Sequence, residues 1–257
     1  MNKSNKMSNI SVVIITYNEE RNIRDCLESV KWVDEVVILD NYSTDRTIEI
    51  ASRYTDKIFM RKWDGYGSQK NRAIERTTNN WILALDADER VTPPLADEIE
   101  NLFQEGDPPM AGYELPYKVY FGNKLIRHGG WYPEYHLRLF RKDRGRFEER
   151  AVHEKIRVSG KVGRLNHFVE HYTYRSISDF IQRMDRYSTL SAETYFKEGR
   201  RIGWIQASFR AWFAFTQMYI LRAGFLDGAA GFQLAILYAF YTFTKYAKLN
   251  ELYTKDT

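Results

Sequence analysis

Short apolar runs separated by polar turns set the rhythm of the first hundred residues. Ile10-Ser11-Val12-Val13-Ile14-Ile15 is β-branched and almost wholly apolar, which predicts a strand buried on both faces of a parallel sheet. Val36-Val37-Ile38-Leu39 and Trp81-Ile82-Leu83-Ala84-Leu85 repeat that pattern, and Ile58-Phe59-Met60 is a shorter version of it. Helical spacing fills the gaps. Asn18 offers an N-cap, after which Ile23, Leu27 and Val30 recur on one face. Ser43-Thr44-Asp45 offers caps for a helix over about 46–54, a loop follows at 65–68, and helices are predicted over 69–77 and, opened by Pro93-Pro94, over 93–103. Strands alternating with helices predict an α/β fold with a mostly parallel central sheet.

Ligands of such sheets bind beyond the carboxyl ends of the strands. The polar residues at those ends are 16–19, Asp40 and the pair Asp86 and Asp88. Side chains two apart at a strand end point the same way, so two carboxylates there repel unless something neutralises them. A divalent cation such as Mg²⁺ or Mn²⁺ would do so. The competing reading is an ordinary Asp-containing turn after a strand.

After Pro108-Pro109 the pattern changes. Stretches 112–120, 135–140 and 155–158 read as strands, with loops rich in glycine, arginine and aromatics between them. Arg138, Arg141, Lys142, Arg144 and Arg146 make this part basic, either as a solvated face or toward an anionic acceptor. A polar helix is predicted over 178–197. Stretch 203–221 then carries Trp204, Phe209, Trp212, Phe213, Phe215 and Tyr219, and 229–244 carries no charge at all. Gly224 and Asp227-Gly228 break the two arms, so they read as a helical hairpin. Each arm is short against the roughly 20 residues of a membrane span. Aromatic and basic residues at its edges suit helices lying in a bilayer surface, and a hydrophobic hairpin packed on a partner is the alternative.

Composition narrows the picture little further. The chain has 257 residues, 44% hydrophobic and 28% charged, an ordinary soluble balance. A net charge of +4 favours phosphate-bearing ligands or an anionic surface without implying nucleic acid. One cysteine, Cys26, permits no internal disulfide and fits a reducing cytoplasm. The apolar run at 10–15 is too short for a signal peptide, so the protein is expected not to be secreted.

The segments ISVVIITYNEE, VVILDNYSTDRT, GSQKNRAIE and LDADE, in that order, resemble the family 2 glycosyltransferases with the GT-A fold. The resemblance covers roughly residues 9–175. More narrowly, RHGGWYPEYHLRLFRK, AVHEKI and GFLDGAAGFQLAILYAFYTFTKYAKL are similar to the WaaE-like lipopolysaccharide core glycosyltransferases. This implies a GT-A catalytic domain over 1–175 and a helical membrane-associating or oligomerising region over 176–257. It also implies site roles. Thr16, Tyr17, Asn18 and Glu19 would line the nucleotide pocket, and Asp40 would accept hydrogen bonds from the base. Lys70 and Asn71 would lie near the nucleotide or its diphosphate. Asp86 with Ala87 would approach the ribose, Asp86 and Asp88 would hold the metal, and His171 would complete its site. Gly130 would lie near the donor sugar, and Glu154, with His153 before it, would be the general base. Two departures stand out: Asn41-Tyr42 replaces the usual Asp-Gly, and His153 replaces a carboxylate.

The implied reaction moves a hexose, glucose by resemblance, from a UDP-sugar to a lipopolysaccharide core or related glycolipid. A single base and no covalent nucleophile give inversion at the anomeric carbon. Glu154 could instead form a salt bridge. Around the acceptor, His128, Trp131, Tyr132 and Arg138 are candidates, with core packing equally open to Trp131. The expected setting is the cytoplasmic face of the inner membrane, with peripheral contact through 203–248, no nucleic acid, and oligomerisation left open. Alternatives are a polyprenyl-phosphate glycosyltransferase and a catalytically silent scaffold of the same fold.

Overall fold

The computed structural model describes residues 9–148 and 155–255. Its chain divides into two compact units, one of Met1–Tyr117 with Tyr135–His171, the other of Lys118–Glu134 with Tyr172–Thr257.

The first unit opens with four strands, β1 (Ile10–Thr16), β2 (Glu35–Asp40), β3 (Ile58–Met60) and β4 (Trp81–Asp86). Helices α1 (Ile23–Ser29), α2 (Thr47–Ala51) and α3 (Tyr66–Glu75) lie between them in sequence. β1 sits between β2 and β4 and runs parallel to both, and β2 runs parallel to β3. The apolar run of β1 is explained by what covers it. Ile10, Val12 and Ile14 join Ile23, Cys26 and Leu27 of α1 in one core, while Val13 joins Ala73 and Ile74 of α3 in another. Alternate side chains therefore enter opposite layers, and neither face is left to water. Each such aliphatic side chain contributes about 1.5–3 kcal/mol by leaving water.

Beyond β4 the sheet becomes mixed. β5 (Glu89–Val91) and α4 (Pro93–Leu102) follow, then β6 (Gly112–Phe121), β7 (Lys124–Leu125), β8 (Glu134–Arg141), β9 (Gly145–Phe147), β10 (Ile156–Val158), β11 (Val162–Arg164) and β12 (Val169–Tyr174). The strand order is β3-β2-β1-β4-β8-β6-β12-β5. β8 pairs antiparallel with β4, and β12 antiparallel with β5. The parallel arrangement expected for most of the sheet is that of its first four strands. β9 and β10 form a separate antiparallel pair.

Two helix starts differ from expectation. Asn18 is not an N-cap: its φ of 56° is left-handed, and α1 begins only at Ile23. Helix α3 starts at Tyr66, earlier than the glycine-rich loop suggests, because Gly65 takes φ 112° and turns the chain directly into it.

The second unit is chiefly helical. It holds α5 (Ile177–Lys197), α6 (Trp204–Thr216), a π-helical segment (Gln217–Leu221), a 3₁₀ turn (Gly224–Asp227) and α7 (Ala229–Lys255). The hairpin read from the sequence is present, but α7 runs well past Thr244. Tyr246 and Leu249 continue its buried stripe against Ala192 of α5 and Ala207 of α6. The turn is tight because Gly231 meets the Gly224 carbonyl, where a Cβ would not fit. Among the described residues no helix is long and apolar enough to cross a membrane.

Candidate active site

Strand register decides which polar residues meet. Thr16 is paired with Asp40 across β1 and β2, and Ile15 with Asp86 across β1 and β4. With neighbouring strands about 4.8 Å apart, the three strand ends form one row about 10 Å wide.

The loops after β1 and β2 are stitched together. Thr16 Oγ1 donates to Asp40 Oδ2 at 2.7 Å, and Ser43 donates to Asp40 through its backbone N–H and its hydroxyl, both at 2.6 Å. Asn18 Oδ1 accepts from the Thr44 N–H at 2.8 Å, and the Asn18 N–H donates to Ser43 Oγ at 2.8 Å. The Glu19 and Glu20 N–H groups donate to Thr47 Oγ1 and Asp45 Oδ2. Asp40 is fully buried and both its oxygens accept from Thr16 and Ser43, so in this structure it ties the loops together where the resemblance expects it to face a base. The exposed groups of the row are Tyr17 and Tyr42, with Asn18 between the loops. Tyr42 takes φ 57°, and it stands where the resemblance expects glycine, so a residue with a side chain bears the left-handed conformation there.

Asp86 lies at the centre of a charge network. Its Oδ1 is 2.8 Å from Lys70 Nζ of α3, and its Oδ2 is 3.2 Å from Arg138 Nη2 of β8. Arg138 also reaches Glu89 Oε1 at 3.1 Å, and its Nε donates to Tyr117 Oη at 3.0 Å. Glu89 has no exposed surface, and its other oxygen accepts the Asp86 N–H at 2.9 Å. Burial disfavours the charged Asp86, but Lys70 and Arg138 outweigh it and hold the carboxyl well below the usual range. Burial likewise works against the Arg138 cation, and Glu89, Tyr117 and Asp86 together outweigh it, so the guanidinium stays charged.

Asp88 is buried and faces His171 of β12, Oδ1 to Nε2 3.5 Å. Burial lowers the His171 pKa and Asp88 raises it, with a net upward shift. The His171 and His136 rings both stand edge-on to Tyr117. Beneath the site, Cys26 points its thiol at the Asp86 carbonyl, Sγ to O 3.6 Å. Burial, then the charges of Glu89, Asp88 and Asp86, push that thiol well above its ordinary pKa.

A divalent cation can be tested against these donors. Both Asp86 oxygens are taken by cations, and among the described residues no three His, Cys, Asp or Glu side chains group into a metal cage. What remains is one carboxylate oxygen and one imidazole nitrogen facing each other. Asp88 and His171 would be the residues to hold Mn²⁺ or Mg²⁺, which would supply charge neutralisation for a diphosphate.

The profile of Glycosyl transferase family 2 matches residues 11–160, which span β1 to β10 and all the strand ends above. The chain belongs to family 2 of the glycosyltransferases. The glycosyltransferase is 31% identical to an uncharacterised glycosyltransferase of Rickettsia typhi, over 97% of this chain and 89% of the relative. It is 30% identical to the lipopolysaccharide core biosynthesis glycosyltransferase LpsC of Rhizobium meliloti, over 94% of this chain and 92% of that one. Among solved structures, S. aureus TarS 1–349 in complex with UDP aligns at 16% identity over 96% of this chain and 92% of that chain, TM-score 0.47.

The remaining residues singled out from the glycosyltransferase's sequence are placed as follows. Ala87 is buried in the core. Asn71 is buried and pairs twice with the Phe147 backbone, Nδ2 to O and N–H to Oδ1, both 3.0 Å, so it ties α3 to β9. In the second unit, the His128 N–H donates to Asp227 Oδ2 at 2.8 Å, and Gly130 leaves room for the Arg222 side chain. Trp131 packs on Tyr174 at 6.2 Å between ring centres, and Tyr132 is half-buried. His153 and Glu154 lie outside the described residues. Sequence reasoning missed Glu89 and Tyr117. Glu89 had a signal, a third acid directly after Asp-x-Asp, whereas Tyr117 sits in an aromatic-rich strand with nothing to mark it.

Proposed function

We propose that this glycosyltransferase moves a hexose, glucose by preference, from a UDP-sugar to a lipopolysaccharide core or related glycolipid acceptor, with inversion at the anomeric carbon. The observation that carries the reading is Asp88 facing His171, two residues from an Asp86 whose charge Lys70 and Arg138 already compensate. The UDP donor is supported by the motifs at the ends of β1 and β2, and the acceptor class by the likeness to LpsC along nearly the whole chain.

Asp88 and His171 would hold Mn²⁺ or Mg²⁺, which when bound neutralises charge on the departing diphosphate. Lys70 and Arg138 fix Asp86 so that its carboxylate keeps one orientation toward the ribose side. Thr16, Tyr17, Asn18 and Glu19 form the loop edge available to the nucleotide, and Tyr17, being exposed, offers a ring face to the base. Glu154 would take the proton of the acceptor hydroxyl as that oxygen attacks the anomeric carbon, and His153 would orient it. We assign the chemistry to the first unit and peripheral contact with the cytoplasmic face of the inner membrane to 203–248.

A screen of nucleotide sugars for Mn²⁺-dependent turnover tests the reading. UDP-glucose should be consumed, chelation should stop the reaction, and added Mn²⁺ should restore it. Asp88→Asn and Glu154→Gln should each lower turnover by about 10²-fold or more, with UDP binding kept in the second variant. Near-normal turnover of Glu154→Gln would remove the base assignment, and no turnover of any nucleotide sugar would remove the function.

A further inference from the structure

The second unit carries a concentration of positive charge that the reaction does not use. Tyr195 of α5 and Tyr246 of α7 stack with ring centres 6.2 Å apart. Lys245 Nζ lies 5.5 Å from the centre of the first ring and 4.9 Å from that of the second. Arg200 covers Tyr195 at 4.5 Å, and Arg210 of α6 covers Tyr246 at 5.6 Å. Three cations thus share one aromatic platform. Among the described residues the carboxylate paired within this cluster is Glu198, with Arg200 at 2.6 Å. Among the described residues Lys245 and Arg210 have no ion-pair partner. Burial, then repulsion from Arg210 and Arg200, lowers the Lys245 pKa.

Beside this cluster the surface is apolar to an unusual degree. On α6, Trp204, Ile205, Phe209, Trp212 and Phe213 are exposed, Ile205 to 87%. The stripe continues through Ile220 and Leu221 to Phe225 and Leu226 of the 3₁₀ turn, and Phe232, Ile236 and Phe240 repeat every four residues along α7. From Gly203 to Thr244 the only charged side chains are Arg210, Arg222 and Asp227, and Asp227 is buried under the backbone of Arg127 and His128. All exposed charge on this face is therefore positive. A water-facing surface would mix signs, and a protein partner would have to match a positive rim on a wide aromatic field. A bilayer surface offers both halves at once, acyl chains for the aromatics and phosphates for the cations.

We propose that Arg200, Arg210 and Lys245 form a seat for the phosphate of an anionic phospholipid, at the edge of an apolar face on α6, the 3₁₀ turn and α7 that lies in the bilayer surface. The proposal rests on the peripheral membrane contact assigned above and adds its lipid preference and the residues that set it.

Flotation of the full chain with phosphatidylcholine vesicles, alone or doped with phosphatidylglycerol, tests it. The wild-type chain should bind the doped vesicles about tenfold or more better than the neutral ones, and high salt should erase the difference. The pair Arg210→Gln and Lys245→Gln, which keeps the stems on the tyrosine rings, should lose that preference and retain the weaker binding to neutral vesicles. Arg210→Lys with Lys245→Arg should restore the preference, separating charge from folding. Binding of doped vesicles unchanged in the Gln pair overturns the phosphate seat while membrane contact stands. No binding of the wild-type chain to either vesicle overturns membrane contact itself, and so would a dimer in light scattering that dissociates on Trp212→Ser. Stabilisation by inorganic phosphate with no preference among vesicles overturns the lipid source.

Discussion

Arg138 shows how a buried charge is accommodated near a reaction site. Its guanidinium serves Asp86, Glu89 and the Tyr117 hydroxyl together, so each carboxylate has a partner and none is left alone in a dry core. Arg138→Met would strand Glu89 without its cation. The expected loss is about 3–5 kcal/mol of stability, read as a lowered urea midpoint. Glu35 is another buried acid, at the opposite end of β2 from Asp40. Burial opposes its charge, but Lys57, Ser11 and the Thr78 N–H outweigh that and bring its pKa from 4.5 to about 2. A depressed acid stabilises the fold above its ordinary pKa and loses that contribution as pH falls through the folded value. The stability gap between wild type and Glu35→Gln should be about 1–3 kcal/mol at neutral pH, shrink below about pH 4.5 and close near pH 2 in urea melts. At this scale Asp86 and Asp88 were legible as acids at a strand end, whereas Lys70 and His171 entered only through the resemblance. The engagement of both Asp40 oxygens was not legible, since it depends on Thr16 and Ser43 bonding to them.

Elements come together through side-chain ties that periodicity does not show. Strands β1, β2 and β4 follow from their apolar runs, and the covering of both sheet faces explains why those runs hold so few polar residues. The tie between α3 and β9 is different, because it consists of one buried amide. Asn71 meets both backbone groups of Phe147, which makes it a substitute for a missing strand partner. Asn71→Ala should leave both groups unpaired, cost about 2–3 kcal/mol, and raise amide exchange first in β9. The short strands β5, β7, β9 and β11 escaped the sequence reading because two or three residues carry no period of their own. The π-helical segment escaped because a widened turn leaves the apolar pattern almost unchanged.

For the molecule as a whole, exposure is the informative quantity. The first unit exposes only scattered large hydrophobics such as Tyr17, Tyr42 and Trp63, whereas the second leaves a run of them open from Trp204 to Phe240. Replacing Ile205, Phe209 and Trp212 together by Ser should change the melting free energy by less than about 1 kcal/mol, since little packing is lost. The same change should raise the concentration at which the protein self-associates in sedimentation experiments. The hairpin itself was visible as two aromatic arms around Gly224 and Asp227-Gly228. The cation platform was not, because Arg200, Arg210 and Lys245 are brought together only when three helices pack.

The thiol beneath Asp86 has a practical consequence. Cys26 is the one cysteine of the chain, has no exposed surface, and resists ionisation. Maleimide and spin-label reagents need an accessible thiolate, so the unaltered protein is a silent background for them. A cysteine introduced at Ile205 or Phe225 would be the sole reacting group, and its fluorescence or electron spin resonance would report directly on whether that position leaves water when vesicles are added.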